Sequence, residues 1–165
     1  MSRVAAVEAV KRLRTDLGRN FGGVLFQVTA VTAYDTSTIE VVWTDGPPLY
    51  AADAVVSQTM RRFEKEAGPE RLSNCLISKR RTMSPRTEAK ILSLLADALG
   101  TQELDAEQVH PTPPLLTRQE DRVEMGTVPE FLDLLFEQLS FCRECPAPAS
   151  GGKVPCPCIK LRSQR

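Results

Sequence analysis

Histidine is nearly missing from this chain: His110 stands alone among 165 residues, and aromatic side chains make up only 5%. A Ser-His-Asp set or a histidine-rich metal cage needs a partner geometry that one histidine in the proline-rich stretch VHPTPP does not offer, so His110 reads as an ordinary surface residue. No P-loop or dinucleotide glycine fingerprint is present, and no small-molecule cofactor is evident. No apolar run is long enough to span a bilayer, which removes the membrane as a partner. The opening MSRVAAVEAVKRLRTDLG is interrupted by Glu8 and Lys11 and lacks a cleavage pattern, so it is not read as a signal peptide. A reducing, cytoplasmic setting is therefore expected. Net charge is missing too, with 21 Lys and Arg against 21 Asp and Glu.

What is there suits a folded protein: 42% hydrophobic and 25% charged residues, enough for a core without disulfides. The charge is unevenly spread. Lys and Arg outnumber Asp and Glu 14 to 10 in residues 1–90, fall to 2 against 10 in 91–141, and recover to 5 against 1 in 142–165. Such segregation fits either a surface balanced within the fold or two basic regions facing an anionic partner.

Four of the five cysteines, Cys142, Cys145, Cys156 and Cys158, fall in the last part of the chain. Four thiolates are a standard tetrahedral zinc set. The first pair has the usual two-residue gap, and Pro146, Pro148, Gly151 and Gly152 between the pairs let the chain double back. Cys156-Pro157-Cys158 departs from the commonest spacing, and redox-active thiols or disulfides stay open as alternatives. Structural zinc is the favoured reading in a reducing compartment. Cys75 alternates within a strand-like stretch and reads as a buried apolar residue.

Hydrophobic spacing gives the elements. Val4, Val7, Val10, Leu13 and Leu17 mark a helix over 2–18, stopped at Gly18. Phe26, Val28 and Ala30, then Ile39, Val41 and Trp43, alternate as two half-buried strands joined in an antiparallel hairpin. Ala52, Val56, Met60 and Phe63 mark a second helix over 49–66, and a short strand is expected at 72–79. Ser84 caps a third helix that has Pro85 in its first turn, Gly100 past its end, and Leu92, Leu95 and Leu99 as its stripe. Residues 101–126 read as an irregular connector. Thr127 and Glu130 form a capping box for a last helix bearing Phe131, Leu135 and Leu139. The expected fold is α+β: a small antiparallel sheet packed by helices over 1–100, the connector over 101–126, and a helix with a cysteine-rich, zinc-ribbon-like tail over 127–165.

The stretch from Phe21 to Pro48, with its closing motif Trp43-Thr44-Asp45-Gly46-Pro47, the following helix with Arg61, Arg62 and Phe63, and the later SKRRTMSP, resemble the large polyvalent protein-associated domain 29 family. The resemblance covers about the first hundred residues. It implies a small α+β domain of phage and conjugative elements, a mobile-element accessory or binding module, without established catalytic chemistry. The chain departs from that pattern where RRFEKEAGPERLS lacks a Phe-x-Gly turn with its acidic residue. From the residues themselves, Asp45-Gly46 reads first as a turn behind a core tryptophan, with a ligand-contacting Asp45 as the alternative.

Lys79, Arg80, Arg81, Arg86 and Lys90 cluster at a strand end and helix start, where helix amides aid phosphate binding. With Arg61 and Arg62 they outline a candidate nucleic-acid patch, against the plainer reading of a solvated edge. No catalytic residues are assigned. The expectation is a non-enzymatic binding protein with protein or nucleic acid as partner; the alternative is a thiol-based redox or metal-dependent enzyme.

Overall fold

The computed structural model describes residues 3–33, 36–68, 75–101, 103–113 and 125–139. Helix α1 (Arg3–Asn20) leads into strands β1 (Phe26–Ala33) and β2 (Thr36–Thr44), then α2 (Leu49–Ala67), β3 (Cys75–Thr82) and α3 (Pro85–Leu99). Two three-residue strands, β4 (Val109–Pro111) and β5 (Met125–Thr127), precede α4 (Val128–Gln138). The α+β class is as the sequence implied. The four cysteines of the expected zinc-ribbon-like tail lie outside the described residues.

The sheet order is β1-β2-β3. β1 and β2 form the expected antiparallel hairpin, placing Phe26 opposite Trp43, Val28 opposite Val41 and Ala30 opposite Ile39. β3 corrects the expectation of an antiparallel sheet. It runs parallel to β2, with Ile77 beside Ile39 and Arg81 beside Trp43. The reason is α2, which carries the chain back along the sheet so that β3 starts again at the same end. β3 also begins and ends three residues later than 72–79, because the side chains that alternate inward are Cys75, Ile77, Lys79 and Arg81.

Both α1 and α2 pack on one face of this sheet. Trp43, Ile39, Val41 and Val28 are buried there with Leu13 and Leu17 of α1 and with Ala52, Val56, Met60 and Phe63 of α2. Phe26 is only half-buried, its ring centroid 5.4 Å from that of Trp43. The expected stripe of α1 needs one change. Val7 is 49% exposed, whereas Ala5, Ala6 and Ala9 are buried. Small alanines let the helix approach its neighbours closely, and the contact line follows them rather than the larger valine. Gly18 does not stop α1 either, as the helix runs on to Asn20, whose side-chain amide donates to the Asp16 carbonyl at 2.8 Å. One helical glycine costs about 1 kcal/mol relative to alanine, and that end bond offsets part of it.

A second apolar cluster joins α3 to α4: Ile91 and Leu95 meet Val128, Phe131 and Leu135. The buried line on α3 is Thr87, Ile91 and Leu95; of the expected stripe, Leu95 is fully buried while Leu92 and Leu99 are half-buried. Ser84 Oγ accepts from the Thr87 amide at 3.2 Å, Pro85 sits in the first turn, and Gly100 closes the helix at φ 68°, as expected. Glu130 reaches back to the Thr127 amide at 2.8 Å. That bond holds the Glu130 carboxyl below the usual carboxylate range. Within the stretch read as an irregular connector, β4 and β5 pair, with His110 opposite Gly126.

Replacing Trp43 with alanine is expected to cost about 3–5 kcal/mol, the range for a fully buried large aromatic. Chemical denaturation of the variant measures it; wild-type stability would contradict this packing.

Candidate functional site

The motif Trp43 to Pro47 and the segment Lys79 to Ser84 come together where β2 ends and α3 begins. The ladder delivers them: the Asp45 amide donates to the Thr82 carbonyl at 2.8 Å, one step beyond the β2–β3 pairing. Trp43 Nε1 donates to the Pro47 carbonyl at 3.0 Å, folding the chain back over its own indole. Asp45 adopts φ 58° and Gly46 φ 65°. Two successive left-handed residues suit Asp followed by Gly. A side chain at Gly46 would also sit 2.8 Å from Val24 Cγ1, so the position is sterically closed.

Asp45 is 5% exposed, and both of its carboxylate oxygens are engaged. Oδ1 accepts from the Ser84 amide at 2.9 Å and Oδ2 from the Ser84 hydroxyl at 2.8 Å. Ser84 in turn caps α3, so Asp45 sets the start of that helix, where a negative charge is favoured by the macrodipole. Bonds to an ionised acceptor are stronger than neutral ones. The reading of Asp45-Gly46 as a turn behind a core tryptophan therefore accounts for both Asp45 carboxylate oxygens and for the Trp43 indole. Thr44 joins it through its hydroxyl, 2.9 Å from that of Thr82.

Arg81 closes the junction from the other side. Its Nε donates to the Asp45 carbonyl at 3.0 Å and one Nη to the Gly46 carbonyl at 2.9 Å. The guanidinium also donates to the Phe136 carbonyl, and to the Leu139 carbonyl at 2.8 Å. It lies 3.9 Å from the centroid of the Phe136 ring. Burial pushes its pKa down to about 10, against the opposing charges of Asp45 and Glu137. It is still cationic at neutral pH. A residue read from sequence as a nucleic-acid contact thus serves as an internal clamp.

The other members of the basic cluster separate. Lys79 points to the helix-covered face and pairs with Asp53 of α2. Arg80, next along the strand, lies on the opposite, open face of the sheet with Leu76 and Ser78. Arg86 is exposed on the first turn of α3 and Lys90 is half-buried one turn further on. Period-two alternation in β3 makes one patch of the three consecutive basic residues impossible. Sequence reasoning could have found this from the inward partner Ile77, which fixes the parity.

Asp16 gathers a further polar group between α1 and α2, accepting from the Thr59 hydroxyl at 2.7 Å and from Arg62 at 2.6 Å. Arg12 pairs with Glu8 and Glu66 and lies over the Phe63 ring, 5.0 Å from its centroid. These contacts form the helix–helix seam. His110 Nε2 is buried without a hydrogen-bond partner among the described residues. Cys75 is half-buried in the main core, and burial pushes its thiol pKa up, which suits an inert apolar role. Among the described residues no three metal-ligating side chains gather, and Cys142, Cys145, Cys156 and Cys158 lie outside them. None of the described helices is long and apolar enough to cross a membrane.

No known protein family, curated protein or solved structure matches the chain.

Asp45→Ala is expected to lower stability by about 1–3 kcal/mol, since it leaves the Ser84 amide and hydroxyl without their buried acceptor. The double variant with Ser84→Ala should lose less than the sum, because both act through one network. Urea midpoints of the three variants measure this, and strict additivity would contradict it. Arg81→Lys is expected to destabilise nearly as much as Arg81→Met, because an ammonium cannot span four carbonyls with a planar fork. Full rescue by lysine would show that charge alone suffices.

Proposed function

We propose that the protein is a non-enzymatic binding module, an accessory factor of a phage or other mobile genetic element, carrying one structural zinc on Cys142, Cys145, Cys156 and Cys158. The observation that carries the reading is how the polar groups of the Trp43–Pro47 motif are used. Both oxygens of Asp45 face Ser84, and the Arg81 guanidinium faces main-chain carbonyls. A general base or an anion-binding electrophile needs a free lone pair or donor aimed at the reacting atom. Groups engaged in this way organise a scaffold, which speaks against catalysis by Asp45 or Arg81 at this junction.

The mobile-element context rests on the resemblance of residues 1–100, and the zinc on the donor set. Thiolates at Cys142-x2-Cys145 and Cys156-x-Cys158 would complete a tetrahedron. Four protein ligands leave no open position for substrate, so such a centre would hold the tail together rather than react. The apolar residues after Cys142 are few, so metal binding would supply folding energy that such a segment could not draw from a core of its own.

Metal analysis and thiol titration of the purified protein test the reading. The expected result is one zinc per chain, with four thiols that become reactive only after chelation, and loss of the metal on Cys142→Ser while cooperative unfolding of the core persists. Metal-free protein with fast-reacting thiols would overturn it in favour of redox chemistry.

A further inference from the structure

The inner side of α2 belongs to the core, with Ala52, Val56, Thr59, Met60 and Phe63 buried. Its outer side presents an open surface depression lined by Ser57, Gln58, Arg61, Arg62 and Lys65. Asp53 at one end of this row is neutralised by Lys79, and Arg62 at its side is held by Asp16. Arg61 and Lys65 form no ion pair among the described residues. They stand four residues apart on one helical face, where like charges repel. Glu64 flanks the row but does not line the depression. Among the described residues nothing calls for two cations one turn apart there, beside a hydroxyl and a carboxamide that add neutral hydrogen-bond donors.

We propose that this face of α2 binds the phosphodiester backbone of a nucleic acid, with Arg61 and Lys65 on phosphates and Ser57 and Gln58 donating to the same strand. The proposal rests on the reading of the protein as a binding module and names its partner. Four residues of helix separate the two cations by about 6 Å along the axis, a spacing that serves neighbouring phosphates of one strand. Of the patch outlined by sequence the site keeps Arg61 and adds Lys65, whereas Lys79 and Arg81 are committed inside the fold and Arg80 stands on the open sheet face. That face is no base-stacking platform, for Gln27, Val31, Glu40, Leu76, Ser78 and Arg80 include no aromatic ring. Backbone contact without base readout follows, so binding should be insensitive to sequence and steeply dependent on salt.

Fluorescence anisotropy with labelled single-stranded and duplex oligonucleotides, using the full chain, tests this. Arg61→Ala/Lys65→Ala is expected to weaken binding at least about tenfold at low salt for every sequence. It should also reduce the slope of log K against log salt by about 1.4 on single strands and about 1.8 on duplex. Arg61→Gln/Lys65→Gln is expected to behave alike, and both should melt as the intact protein does. Arg86→Ala/Lys90→Ala should keep full affinity. Full affinity in either α2 double variant overturns the site. So does a failure of the intact protein to bind either oligonucleotide at low salt, or binding to anionic vesicles in place of both. Those outcomes leave zinc content and thiol reactivity unchanged, so they separate from failure of the binding-module reading itself.

Discussion

The Arg81 guanidinium holds two apolar clusters to one another. One side of it faces the Asp45–Gly46 turn, the exit from the sheet core; the other faces the last carbonyls of α4, which belongs to the second cluster. Those carbonyls are the unsatisfied, negative end of a helix, and a cation there answers both their missing donors and the macrodipole. The flat ring of Phe136 beneath the guanidinium adds a cation–π contact without competing for its donors. A buried charge is tolerated only when paired and fully hydrogen-bonded, and here the main chain supplies most of the acceptors. The clamp therefore depends on backbone geometry more than on any one side chain opposite it.

That dependence reaches into the sheet. Arg81 arrives at the turn only because β3 pairs parallel to β2 with Trp43 beside Arg81. A slip of one residue would turn Arg81 to the open face and bring Arg80 inward. Lys79 supports the same register, since its pair with Asp53 forms only from the helix-covered side. On the turn itself, Asp45 fixes Ser84 and Ser84 fixes the start of α3, so the direction of the helix that leads into the second cluster is set by a residue at the exit from the first. The motif and the basic segment form one device divided by 36 residues of chain.

Much of this was legible. Period-two alternation gave β1, β2 and their hairpin. The caps at Ser84, Gly100 and Thr127 were visible because capping depends on a few residue types at fixed offsets. The parallel pairing of β3 was not visible, because alternation reports which face a side chain takes and says nothing of strand direction. The alanine line of α1 was hidden behind Val7, since a hydrophobic stripe is judged by size while close helix packing rewards smallness. β4 and β5 are too short to carry a period. The site was the least legible part. Arg81 in a run of basic residues looks like surface, and only the acceptors from Asp45, Gly46, Phe136 and Leu139 reveal its role; those are main-chain atoms, which leave no mark in sequence.

The same logic separates what α2 does for the fold from what it offers outside. Thr59 is buried at 2% exposure and satisfied by Asp16, whose carboxylate also takes Arg62. Arg62 and Arg12 are thereby part of the α1–α2 seam, and removing either would disturb packing as well as charge. Arg61 and Lys65 lie one step around the helix, beyond the seam, where solvent screens their mutual repulsion without cancelling it. Selection for stability alone would favour an acidic residue at one of the two positions, since an opposite pair four apart on a helix contributes a few tenths of a kcal/mol where a like pair loses about as much. A position that departs from the locally favoured choice, on a face the core does not need, is where a requirement from outside the fold is to be sought.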